Sequence, residues 1–506
     1  MRDVPDSTVR RTTWAASRPV SRRDVLRLGG GALAIGALAA CTPGGDASPS
    51  PGASGTPSWT PPAEPMRLPD GFVLGAATSA FQVEGSTTAD GRGASIWDTF
   101  AAQPGNVRGG ATGDPAADHY RRWEQDVDLM TGLGLDGYRF SVAWPRIQPT
   151  GSGPVNRAGV DFYRRLVDRL LERGVEPAVT LYHWDLPQPL QDRGGWAARD
   201  TAARFADYAA VVFDALRDVP GPWLTINEPK TTAYVGYGSG YHAPGVSDVD
   251  QMIAAVHHQL LGHGLAVEAF RASGASGRVG IALNLQPVYA AGPGAQDAAV
   301  RADAVENRLF LDPVLRGTYP DDAIGDEPGQ IRADPGVLDA LVQDGDLATV
   351  SAPLDVLAIQ YYGVTGVDVS GQNVQLYPTS DAPWQQLHPE GMYETLVRVR
   401  DDYPGVPPLV ITENGIPDRT SEGTTDDAER VEFLRAHLQQ VARAVDAGVD
   451  VRAYYAWSLL DNFEWAEGLD QRWGLVHVDF ETQERTPKNS ARWYADVVAQ
   501  RAVPPA

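Results

Sequence analysis

The chain has 506 residues, 43% of them hydrophobic, with 13 Trp and 18 Tyr, and this supply of core-forming side chains excludes a chain that is disordered throughout. Its 42 basic against 65 acidic side chains give a formal charge of -23, which excludes a nucleic-acid binder, a class that needs basic surface to displace counterions. The single cysteine, Cys41, excludes an internal disulfide and any cysteine-based metal site.

In chain order, the first element is an address. Arg22 and Arg23 precede residues 28–40, about thirteen small and apolar residues. A bilayer span needs roughly 20, so the stretch fits the apolar region of a signal peptide. The paired arginines resemble a twin-arginine export signal. Leu38-Ala39-Ala40-Cys41 resembles the lipobox of bacterial lipoproteins, whose cysteine carries the lipid. The expectation is an export signal over 1–41, lipidation at Cys41, and placement at the outer face of a bacterial cytoplasmic membrane, or secretion. Residues 42–65 are rich in Pro, Gly, Ser and Thr and read as a flexible linker. One folded domain is expected over 66–506.

In that domain short apolar runs alternate with stretches of helical period. Strands are expected at 72–79, 137–144, 177–184, 223–228, 279–286, 356–362, 409–413 and 451–457. Helical runs include 120–133, 159–173, 202–216, 256–272 and 428–447. Eight strands alternating with helices suit an α/β fold, a (β/α)8 TIM barrel with long loops. An open doubly wound sheet competes on pattern alone, but no GxGxxG follows any strand. Only two lysines occur, Lys230 and Lys488, a scarcity that reads as codon bias. His257, His258 and His263 sit on a helical stretch and read as structural or solvated.

A barrel of this kind carries its site at the C-terminal ends of the strands. Several candidate strands stop there at polar or aromatic residues: Tyr182-His183-Trp184-Asp185, Asn227-Glu228-Pro229, Thr412-Glu413-Asn414-Gly415 and Trp457-Ser458, with Glu464-Trp465 in the loop beyond. Two carboxyls in different environments can protonate a leaving oxygen and support a forming oxocarbenium ion. Taken singly, Glu228 or Glu413 could instead cap a helix or pair with an arginine. They lie 185 residues apart, which places them on the fourth and seventh strands, across the barrel mouth.

The chain from about 68 to 498 resembles glycoside hydrolase family 1, the β-glucosidases and relatives. The motifs that carry the resemblance begin with residues 72–85, Phe-Val-Leu-Gly-Ala-Ala-Thr-Ser-Ala-Phe-Gln-Val-Glu-Gly. They continue with Tyr138-Arg139-Phe140-Ser141 through Ile147, Thr225-Ile226-Asn227-Glu228-Pro229, Ile411-Thr412-Glu413-Asn414-Gly415, and the block from Trp457 to Trp465. The resemblance implies a β-glycosidase acting with retention, Glu228 as acid/base and Glu413 as nucleophile, their carboxyls about 5–5.5 Å apart. It pairs the nucleophile with Arg139 and Tyr362. Glu228 would be protonated at rest, raised by burial and by Glu413, and Glu413 ionised.

The same resemblance implies a sugar pocket of Gln82, His183, Asn227, Glu464 and Trp465, with Trp457 as a stacking floor and Trp384 on the aglycone side. Amides and carboxylates match sugar hydroxyls, and flat rings match the apolar sugar face. His183 alone could be a core histidine or a metal ligand, but no His/Cys/Asp set stands at ligand spacing, so no metal is expected. The family needs no cofactor. Relatives acting on 6-phosphorylated sugars usually put small residues at the Glu464-Trp465 position, followed by a lysine. Here Gln471-Arg472-Trp473 follows, which favours an unphosphorylated glycone. Two departures stand out: Gln360 where the family usually has Asn, and Trp473 where it usually has Phe. The first could shift a contact near the sugar 2-hydroxyl, and the second could narrow the pocket near the 6-position.

Two other readings compete. A sugar-binding transport lipoprotein would share the anchor but would not need paired carboxylates. A transglycosylase would use the same residues with a sugar or alcohol in place of water. The partner in each reading is a small glycoside or oligosaccharide, with the membrane met only through the lipid.

Overall fold

The computed structural model describes residues 59–418 and 424–505. The export signal, Cys41 and most of the 42–65 linker lie outside the described residues. Of that linker, Trp59 is described, with the Arg443 guanidinium 5.3 Å above its ring.

Eight parallel strands close into a barrel: β1 (Val73–Ala77), β2 (Gly137–Ser141), β3 (Glu176–Tyr182), β4 (Pro222–Asn227), β5 (Arg278–Asn284), β6 (Leu357–Gln360), β7 (Leu409–Glu413) and β8 (Val451–Trp457). β8 pairs with β1 and completes the ring, which rules out the open doubly wound sheet. The strands are buried almost throughout, because the ring of helices covers their outer faces and side chains fill the interior.

Helices His119–Gly132, Arg157–Glu172, Asp200–Ala215 and Ala428–Asp446 lie within two residues of their expected bounds. Helix Val249–Ser273 begins seven residues before the expected 256. Asp248 caps it, its side chain accepting from the Gln251 amide at 2.9 Å. His257, His258 and His263 on this helix are buried, not solvated. His257 meets Tyr319 and Asp346, His258 meets the Trp196 carbonyl, and His263 meets Thr225.

The chain reaches the barrel at the N-terminal ends of the strands. Met66–Arg67 pairs antiparallel with Ala502–Val503, just after the last helix, Asn489–Gln500. Arg501 forms an ion pair with Asp136, the residue before β2, and Asp136 also accepts from the Leu74 amide at the start of β1. The opposite end, where the strands stop, carries the long loops and the polar residues named above.

Candidate active site

Both carboxylate-bearing strands break register near the mouth. β4 shifts against β5 between Leu224 and Asn227, and β7 shifts against β6 between Ile411 and Glu413. Such irregularities re-aim side chains at barrel rims. Glu228, one residue past β4, takes a left-handed backbone with φ 44° and ψ 67°. That conformation costs a residue with a side chain about 1–3 kcal/mol, so the surroundings must hold it. Pro229 follows at the first position of a single helical turn, Pro229–Thr231, where its fixed φ already suits a helix. After Glu413, Gly415 passes so close to β8 that a Cβ would stand 1.9 Å from the Trp457 carbonyl oxygen, so only glycine fits.

Arg139 on β2 links these two ends. Its guanidinium is fully buried. Nη1 donates to Glu413 Oε1 at 2.5 Å and to the Thr412 carbonyl at 3.2 Å. Nη2 donates to Asn227 Oδ1, and Nε to Thr180 Oγ1 at 3.0 Å. Tyr362 donates to the other Glu413 oxygen, Oε2, at 2.8 Å. Glu228 has a different environment: its Oε2 accepts from Thr231 Oγ1 at 2.7 Å.

The electrostatics follow from this asymmetry. Burial, then the charge of Glu413, pushes the Glu228 carboxyl up to about 8. Burial pushes Glu413 up as well, but the Arg139 charge and the hydrogen bonds from Arg139 and Tyr362 pull it back. Glu464 is the third carboxyl here, pushed up to about 8 by burial and then by Glu413. Three carboxylates in one water-poor pocket cannot all ionise together. The negative charge settles on Glu413, which alone of the three receives both a cation and a phenol.

The polar wall is tightly ordered. Asn227 Oδ1 accepts from both Arg139 and Gln360 Nε2, the latter at 2.6 Å, which fixes the amide orientation. Asn227 Nδ2 then donates to His183 Nε2 at 3.1 Å, so the neutral ring carries its hydrogen on Nδ1. Burial, reinforced by the Arg139 charge, holds this imidazole well below its ordinary value and keeps it neutral. Gln82 Nε2 is shared among Asn462 Oδ1, the Phe463 carbonyl and Glu464 Oε2, at 3.0, 3.0 and 3.2 Å. Gln82 therefore ties the end of β1 to the loop that presents Glu464.

Aromatic rings frame the rest. His183 lies nearly parallel to Trp457 and Trp465 at centroid distances of 5.7 and 6.0 Å. Trp465 is buried against Phe81, Trp97 and Trp184. Trp473 is buried, with its ring edge-on to Tyr362 and near-parallel to Trp384. Trp384 is the open member, 50% exposed.

Several residues of this arrangement were not singled out from the sequence. Thr231 stands three positions after Glu228, a spacing that brings side chains together on a helical turn. Thr180 supports Arg139, and Gln385 Nε2 ties the Tyr362 carbonyl to the Gly415 carbonyl at 3.1 and 2.7 Å. Both lysines are buried: Lys230 pairs with Glu306 at 3.0 Å, and Lys488 with Asp418 and Asp461 at 2.6 and 2.8 Å.

Comparison with known proteins agrees with this geometry. The sequence model of Glycosyl hydrolase family 1 matches residues 64–503. The thermostable beta-glucosidase B of Thermobispora bispora is 48% identical over 451 residues, covering 87% of this chain and 92% of its own. A bifunctional beta-D-glucosidase/beta-D-fucosidase of Bifidobacterium breve is 44% identical, covering 86% and 99%. Among solved structures, a beta-glucosidase from Thermotoga maritima in complex with deoxynojirimycin superposes with a TM-score of 0.80 at 39% identity, covering 86% and 99%.

Proposed function

The chain belongs to glycosyl hydrolase family 1, and from that premise we propose that it is a retaining β-glucosidase releasing terminal, unphosphorylated β-D-glycosyl residues. The observation that carries the assignment of roles is the unequal treatment of two buried carboxyls, one held by a cation and a phenol, the other raised to about 8.

In the first half-reaction Glu413 attacks the anomeric carbon and Glu228 gives its proton to the leaving oxygen. In the second, Glu228 takes a proton from water, and that water displaces Glu413 from the sugar. The neutral His183, Asn227, Glu464 and the rings of Trp457 and Trp465 form the glycone wall, with Gln82 holding Glu464 in place. Trp384 lies on the aglycone side. Gln360 acts through the oxygen of Asn227, and Trp473 through Tyr362 and Trp384. The unphosphorylated glycone is supported by both lysines being buried and paired with carboxylates. Glu413→Ala is expected to abolish turnover, and external azide to restore it with inverted product; an active mutant would overturn the role of Glu413.

We propose further that the enzyme is exported through the twin-arginine signal and carries its lipid at Cys41. The support is sequence alone: paired arginines, a short apolar run and a small-residue cleavage site before the only cysteine. Mass spectrometry of the mature N-terminus tests it. A lipid adduct on Cys41 is expected, and Cys41→Ser should release the enzyme from membranes.

A further inference from the structure

We infer that Thr231 is a positioning residue that fixes which oxygen of Glu228 carries the catalytic proton. The inference rests on Glu228 being the acid/base and extends that reading.

The geometry is local. Glu228 sits just ahead of the one-turn helix Pro229–Thr231, and the Glu228 carbonyl accepts the Thr232 amide at 3.2 Å. This turn brings residue i+3 back over residue i. Thr231 Oγ1 thereby lies 2.7 Å from Glu228 Oε2, its only hydrogen-bond partner among the described residues. Among the described residues the Thr231 hydrogen has Oε2 alone to donate to, and the ionised carboxylate can only accept, so the bond is set in that direction and kept when Glu228 gains its proton. Oε2 is then an acceptor in both states of Glu228, and the acid proton belongs on Oε1. The same oxygen gives its proton to the leaving group in the first half-reaction and takes one from water in the second.

The charged and titratable groups around Glu228 set the background of any pH test. Glu413 on β7 and Glu464 beyond β8 disfavour its ionisation, while Arg139 on β2 and Lys230 on its own turn favour it. Tyr362 faces it from beyond β6, and the neutral His183 lies at the end of β3. Lys230 is itself neutralised by Glu306. Thr231 is the one side chain that donates directly to the Glu228 carboxyl among the described residues.

The test compares Thr231→Val and Thr231→Ser with the parent full chain on two substrates, methyl β-glucoside and 2,4-dinitrophenyl β-glucoside. Only the first has a leaving group that needs a proton. Thr231→Val is expected to lower kcat/KM on methyl β-glucoside by about 10-fold or more, the scale of losing a hydrogen bond to an ionisable group. On the dinitrophenyl substrate the loss should stay under about threefold. The alkaline limb of kcat/KM should move to higher pH, because the carboxylate loses a donor. Thr231→Ser should behave as the parent in all three. Equal losses on both substrates, an unmoved alkaline limb, or a serine variant as impaired as the valine variant would overturn the inference. Glu228→Gln is run beside them. If it retains activity on methyl β-glucoside, the acid/base reading itself fails; if it loses that activity and Thr231→Val does not, only the present inference fails.

Discussion

Arg139 and Glu413 form a buried ion pair across the barrel, Nη1 to Oε1 at 2.5 Å, joining β2 to β7. The same guanidinium also holds Thr180, Thr412 and Asn227, so its planar fork matters as much as its charge. Arg139→Lys keeps the charge and loses the fork. The expected result is a fall in kcat/KM of about 10-fold or more, since an ammonium cannot keep all the bonds of the fork and a hydrogen bond involving a charged group is worth about 1.5–3 kcal/mol. Steady-state kinetics on an aryl β-glucoside, with a thermal melt alongside, checks it; activity within threefold of the parent would contradict the role given to Arg139.

The acid limb and the alkaline limb of activity have separate owners. Glu228 must be protonated to act as acid, so kcat/KM falls as pH rises through about 8 in the free enzyme. Glu413 must be ionised, so activity also falls on the acid side. Because the charge of Glu413 is one of the forces raising Glu228, Glu413→Gln should lower the Glu228 titration. Carbon-13 NMR of glutamate-labelled protein reads this directly; an unshifted titration would mean that burial alone sets the value.

Stability should decline with alkalinity for the same physical reason. Glu228, Glu464 and Asp185 each titrate near 8 in the folded protein, with burial as the largest cause. Unfolded, such groups titrate near 4. Between these limits the folded state binds more protons than the unfolded one, so raising the pH from about 5 to 8 costs stability. Asp185 is fully buried, and neither carboxylate oxygen has a partner among the described residues. Asp185→Asn should therefore flatten the fall of the melting temperature across this window. A slope equal to that of the parent would refute the contribution of Asp185.

Lys488 is expected to be a stability residue. Its ammonium is fully buried between Asp418 and Asp461, and Lys488→Met would leave both carboxylates without that cation. Arg430 still pairs with Asp418 and Arg472 with Asp461, so the loss is expected at the lower end of the about 3–5 kcal/mol that breaking a buried pair costs. Denaturant unfolding measures it.

Trp384 is expected to affect binding without affecting folding. It is half-exposed and rests on Tyr362 and Trp473. Trp384→Ala should raise KM for aryl glucosides about 2- to 10-fold, matching the worth of one aromatic pair, with KM for methyl β-glucoside nearly unchanged. Equal effects on both substrates would remove it from the aglycone side.

The barrel was legible because its strands are short apolar runs that stop at polar residues, and β7 matches its expected bounds, 409–413. The start of helix Val249–Ser273 was less legible, because the helix is apolar on nearly every face and gives little periodic signal. Glu228 was expected to close its strand. It instead turns left-handed beyond β4, a choice made by contacts distant in sequence. Within the site, sequence names the groups that bear chemistry. It does not say that Gln360 spends its amide nitrogen on Asn227, that Gln82 is occupied by the Asn462–Glu464 loop, or that Thr231 meets Glu228. The lysine scarcity reads as codon bias in the sequence, yet both lysines are buried and paired with carboxylates.

The two ends of the barrel serve different purposes. Residues 59–72 approach at the base, clasped by Ala502–Val503 and by Arg443, while substrates must come and go at the far rim. Entry of the chain at the base thus keeps residues 59–72 away from the rim where the polar residues and Trp384 lie.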